Sequence, residues 1–162
     1  SAQKLEAARK QLETGETEAA RAKLEELIAE DASNHNAHVL LARTVMFDEP
    51  ERAQSLLEGH ITDAESRETA ETVETVSRLL TVGQRPDDLP DEDGKDAYLE
   101  AIRALAAQEF GTALEQFIQV IQTNRYYDDD GARKACVAIF ALLGPEHETT
   151  REYRRQFDMS LY

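Results

Sequence analysis

Apolar side chains recur along this chain every three or four residues, the spacing of a helical stripe, and no stretch alternates with the period of two expected of a strand. Ala8 begins the pattern, Gly15 interrupts it, and Ala20, Leu24, Leu27 and Ile28 resume it, which predicts two helices with a glycine at the bend. A second pair is expected from about His35. Leu41 and Ala42 lie on its first helix, Asp48-Glu49-Pro50 makes the turn, and Ala53 and Leu57 repeat the spacing of Ala20 and Leu24. Residues 62–82 read as a longer polar helix striped by Ala64, Val73, Val76, Leu79 and Leu80. Residues 83–94 hold two Pro, two Gly and a run of acids, so a loop is expected there. Tyr98, Ala101 and Leu105 stripe the next helix. Ala113, Phe117, Val120 and Ile121 then reproduce the spacing of Ala20, Leu24, Leu27 and Ile28. A helix from about Asp130 to Leu143 stops at Gly144-Pro145, and Thr149-x-x-Glu152 reads as a capping box opening a last helix.

Small residues where paired helices meet, a turn, and bulkier residues one turn on resemble the tetratricopeptide repeat, a helix pair of about 34 residues. The resemblance implies an all-α fold of TPR-like helical repeats, about nine antiparallel helices in a right-handed superhelical array. The expected organisation is an N-terminal lobe over 1–82, an acidic Pro/Gly loop over 83–96, and a C-terminal lobe over 97–162 closed by a capping helix, 149–162. Such repeats work by binding other proteins.

Composition narrows the partners. The formal net charge of −15 repels phosphate backbones and anionic lipid, so nucleic-acid and membrane-surface roles are excluded. The longest apolar run, Ala135 to Leu143, is too short to cross a bilayer. The chain opens Ser1-Ala2 without Met or signal peptide and reads as a piece of a longer protein. Its single cysteine, Cys136, shares a helical face with Ile139, Phe140 and Leu143, the setting of an inert buried thiol.

Little in the sequence suggests chemistry. His35 and His38, with Asp31 nearby, lack a third ligand at a metal-site spacing and are expected at the surface; His60 and His147 stand near helix ends without a nucleophile motif. Asp128-Asp129-Asp130-Gly131 lacks the spacing of a calcium loop, and its acids are expected to cap a helix. The expectation is a non-enzyme with no cofactor and no metal.

One segment differs in charge. Residues 151–162 carry Arg151, Arg154 and Arg155 against Glu152 and Asp158, and Tyr153, Phe157 and Leu161 form one apolar stripe. The stripe suits either a cap on the last repeat or an amphipathic helix offered to a partner's groove.

Ala132-Arg133-Lys134-Ala135, Ile139 to Gly144, Tyr153-Arg154-Arg155-Gln156-Phe157 and the ending Ser160-Leu161-Tyr162 resemble the C-terminal region of the YbbN family, thioredoxin-like co-chaperones also called CnoX or chaperedoxin. Phe117 to Ile121 is similar too. The resemblance implies a cytoplasmic holdase that protects unfolding clients and passes them to a GroEL-type chaperonin, with a thioredoxin-like domain N-terminal to these repeats. It also implies a chaperonin contact through the last helix, at Tyr153, Arg154, Arg155, Phe157, Leu161 and Tyr162. The sequence departs from the family at Phe157-Asp158-Met159, where Leu and small apolar residues are usual. The other reading is a general adapter that takes a peptide in its concave groove. An acidic tail is then a poor guest for so acidic a chain.

Overall fold

The computed structural model describes residues 1–60 and 64–162, and of Glu65 the backbone alone. Nine α-helices and no strand occur among the described residues. The first two positions of the expected 62–82 helix lie outside them. Two compact units divide between Ser77 and Arg78, inside a helix.

The first unit contains α1 (Ala2–Glu13), α2 (Thr17–Glu30), α3 (His35–Val45), α4 (Pro50–Leu57) and the start of α5 (Ala64–Gly83). Ser1 caps α1 by accepting from the Lys4 N–H at 3.4 Å, and Asn34 caps α3 by accepting from Ala37 at 3.1 Å. Gly15 takes φ +82 at the α1–α2 bend, a left-handed conformation that costs a residue with a Cβ more. Ala8 and Ala20 are wholly buried, so α1 and α2 approach closely, while Leu24 and Leu27 fill the interior. Pro50 opens α4 at its first turn, where a missing N–H is harmless. Arg21 pairs with Glu49 at 2.8 Å and Arg52 with Glu25, tying α2 to α4 at the surface.

The second unit completes α5 and adds a short 3₁₀ turn (Pro86–Asp88), α6 (Lys95–Ala106), α7 (Phe110–Thr123), α8 (Tyr127–Leu143) and α9 (Glu148–Ser160). Its centre is aromatic. The buried Tyr98 ring meets Phe117 edge-on at 5.6 Å and Tyr127 at 5.1 Å. Tyr127 donates to the Pro90 carbonyl at 2.6 Å and Leu89 is buried, so the Pro/Gly segment is anchored to this core. The α6–α7 bend repeats the geometry of Gly15 with a different residue: Gln108 takes φ +58 there.

Two expected caps are corrected. Asp128, Asp129 and Asp130 do not cap α8. Their φ angles of +53, +54 and +64 kink its start, and their carboxylates meet side chains. Asp128 accepts from Tyr98 Oη and from Arg78, both at 2.6 Å, and Asp130 accepts from Arg133 Nε at 2.6 Å. Aspartate tolerates the left-handed region better than most residues, and the ionic contacts offset what strain remains. The last helix begins at Glu148, and its cap is His147, whose Nδ1 accepts from the Thr149 N–H at 3.1 Å. Thr149 already lies inside the first turn, so its hydroxyl cannot act as the box requires.

Candidate protein-binding surfaces

α9 packs on α7 and α8 through one face. Phe157 is buried edge-on against Phe140 at 5.4 Å, and Tyr153 lies half-buried over Gly111, whose missing side chain leaves room for the ring. Partial burial pushes the Tyr153 hydroxyl pKa above its ordinary value, and Glu152 and Glu115 add to that. Leu161, also half-buried, closes the stripe, and its carbonyl accepts from Arg125 at 2.8 Å. Tyr153, Phe157 and Leu161 therefore form the packed face.

The opposite face is free. Arg151, Arg155, Met159 and Tyr162 are all exposed and follow one another at intervals of four, four and three residues, a single outward stripe. Met159 is 66 % exposed and Tyr162 entirely so. Arg151 and Arg155 form no ion pair among the described residues. Arg154 lies to one side, its guanidinium 5.2 Å above the Phe140 ring and 3.7 Å from Asp158. Of the six residues nominated from the resemblance, Arg155 and Tyr162 thus stand on the outward stripe, Arg154 beside it, and three face inward. Phe157 can reach a partner only if α9 leaves α8.

The structure adds residues that were not nominated. Arg151 and Met159 complete the stripe, and the four-residue spacing from Arg151 to Arg155 to Met159 was the signal for it. Tyr126, 69 % exposed, lies beneath Arg125, whose guanidinium sits 5.3 Å over its ring while bonding Leu161. Nothing in the sequence separates Tyr126 from its buried neighbour Tyr127. Burial pushes the Tyr127 hydroxyl pKa up to about 12, with Asp128 adding to it.

A groove of about 610 Å³ opens in the first unit between α1, α3 and α5. Leu12, Val39 and Leu40 give it an apolar floor, and Arg9, Asn36 and Arg43 supply donors. Arg9 shares its charge with Glu6 at 3.6 Å, whereas Arg43 has no ion pair among the described residues.

Antiparallel helical pairs with small residues at their contacts are the architecture of helical repeats. A family model described as Tetratricopeptide repeat matches residues 66–162. The chain belongs to the tetratricopeptide repeat family. No curated protein and no solved structure matches it. The repeat match takes in most of α5 and all of α6 to α9, so the outward stripe belongs to the matched repeats, and the groove reaches them only through α5. As a tetratricopeptide repeat chain it presents surfaces for protein partners. No helix is long and apolar enough to cross a membrane among the described residues.

Titratable groups elsewhere divide between inert and clustered. Burial drives the Cys136 thiol pKa well above the thiol range, which leaves it protonated and unreactive. Among the described residues no three His, Cys, Asp or Glu side chains are placed to hold a metal ion. The expectation of surface histidines is corrected at His38, which is 9 % exposed and stacked on His60. The separation of 25 positions between His35 and His60 hides this meeting from a local reading of the sequence.

Proposed function

We propose that this repeat domain is the protein-binding module of a thioredoxin-like co-chaperone, not an enzyme. It binds unfolding clients in the cytoplasm and hands them to a GroEL-type chaperonin. The observation that carries the reading is the outward stripe at α9: two arginines without an ion pair among the described residues, an exposed methionine and a fully exposed Tyr162 in a chain of net charge −15. Arginine and tyrosine dominate the energetics of protein interfaces, and methionine adapts to irregular apolar surfaces. The resemblance of residues 97–162 to YbbN co-chaperones supports the choice of partner and the proposal of a thioredoxin-like domain in cis.

A pull-down on immobilised chaperonin tests this with the full chain and with Arg155→Glu/Tyr162→Ser. Both changes lie on the exposed face, so circular dichroism should be unaltered. If each residue contributes about 2 kcal/mol, either change alone weakens binding roughly thirtyfold, and the pair abolishes retention. Equal retention of both proteins, or of neither, refutes the chaperonin contact.

A general adapter that takes a peptide in its groove is the second reading. The 610 Å³ groove favours it, because its apolar residues lie beside Arg43, which has no ion pair among the described residues and can meet a peptide carbonyl or carboxylate.

A further inference from the structure

Three of the chain's four histidines converge at one end of the α3–α4 pair. His35 is the first residue of α3, His38 stands one turn on, and His60 follows α4. His35 Nδ1 lies 2.7 Å from His60 Nδ1. Two like nitrogens at that distance need one proton between them, so one ring donates and the other accepts with its lone pair. The His38 ring is stacked on His60, centroids 3.7 Å apart and planes within 16°. Its Nδ1 lies 2.9 Å from the Asn34 carbonyl oxygen, which can only accept. His38 therefore carries a proton on Nδ1 and, when neutral, leaves Nε2 bare. In the neutral trio both of these Nδ1 contacts are satisfied.

Added protons change this. One is tolerated, since an imidazolium can donate across the Nδ1–Nδ1 contact to a neutral ring. A second on that pair would set N–H against N–H, and a charged His38 would lie face to face with a charged His60. The surroundings of His60 also favour its neutral form. Burial lowers the pKa of His60, and His38 and His35 lower it further. From α2 the Asp31 carboxylate feels His35, but it is exposed and accepts from the Ser33 N–H and hydroxyl. No charged group of α1 or α4 contributes to the shift at His60.

We infer that His35, His38 and His60 form an acid-sensitive latch, which when neutral ties the start of α3 to the segment after α4 and which opens that end of the pair when it takes up more than one proton. A folded-state pKa below the unfolded value means the unfolded chain binds more protons. The latch therefore contributes fully above the ordinary histidine range and fails as pH falls through and below it. Net charge acts in the opposite direction, because acidification reduces −15 and relieves self-repulsion. α3 also carries Asn36, Val39 and Arg43 of the groove, so opening would loosen one wall of it. That consequence rests on the groove reading; the latch does not.

Hydrogen–deuterium exchange of the full chain at about pH 7.5 and about pH 5.5, corrected for intrinsic rates, tests the latch within the histidine range. Protection over residues 35–45 should fall at the lower pH, roughly tenfold for each unit by which the folded pKa lies below the unfolded one, while α1 changes little. In His60→Gln, whose side chain stays uncharged, the fall should be much smaller. Equal falls in both proteins, or none in the wild type, overturn the inference. If His60→Gln does not fold, the wild-type histidine ring resonances decide. Coupled titration, with His60 below its value in denaturant, is expected. Three independent curves matching the denatured chain overturn the inference.

Discussion

Replacing Gly131 by alanine should destabilise the second unit by about 3 kcal/mol or more, a large part of the 5–15 kcal/mol typical of a folded domain. A Cβ at this position would lie 2.1 Å from Tyr98 Oη, 3.0 Å from Tyr98 Cζ and 3.1 Å from Asp128 Oδ2. The Tyr98 side chain cannot swing aside. It is fully buried, donates to Asp128 at 2.6 Å, and touches Phe117 and Tyr127 on its edges. Moving it breaks a hydrogen bond to a charged acceptor as well as overpacking the core. Gly15→Ala is the contrast: the added methyl meets nothing within 4 Å, and the cost is the left-handed backbone alone, roughly 1–2 kcal/mol. All five tyrosines lie between Tyr98 and Tyr162, and the chain has no tryptophan, so tyrosine fluorescence during denaturant unfolding reports the second unit. A Gly131→Ala midpoint within about 0.5 kcal/mol of wild type would refute the packing of α6 against α8 described above.

Phe117→Ala should cost about 3–5 kcal/mol in the same measurement, the range for emptying a buried phenylalanine site. Phe117 is fully buried on α7 and supports the edge of the Tyr98 ring, so truncation leaves a cavity beside the residue that positions Asp128. Phe117→Leu keeps most of the volume and should cost less than about 1.5 kcal/mol. A loss under about 1 kcal/mol for the alanine variant would mean that the aromatic cluster does not hold this unit together.

The helices were legible because their apolar positions obey a local spacing. Ala20, Leu24 and Leu27 and their counterparts Ala113, Phe117 and Val120 are all buried, and the bends fall where the pattern breaks. What was not legible depends on residues distant in sequence. Gly131 is small because Tyr98 needs the space, and Asp128 is acidic because Tyr98 and Arg78 reach it. His38 is buried because His60 covers it. For α9 the sequence left open whether its apolar stripe is packed or presented. The structure packs Tyr153, Phe157 and Leu161 and exposes Arg155 and Tyr162, a division that the resemblance to co-chaperones could not supply.

Hydrogen–deuterium exchange of the chain, alone and with a GroEL-type chaperonin, tests the proposed docking surface most directly. If α9 is the contact, exchange slows over residues 151–162 and around Tyr126, and residues 1–60 are unchanged. Protection confined to the α1 and α3 walls of the groove, or no protection anywhere, would contradict the account.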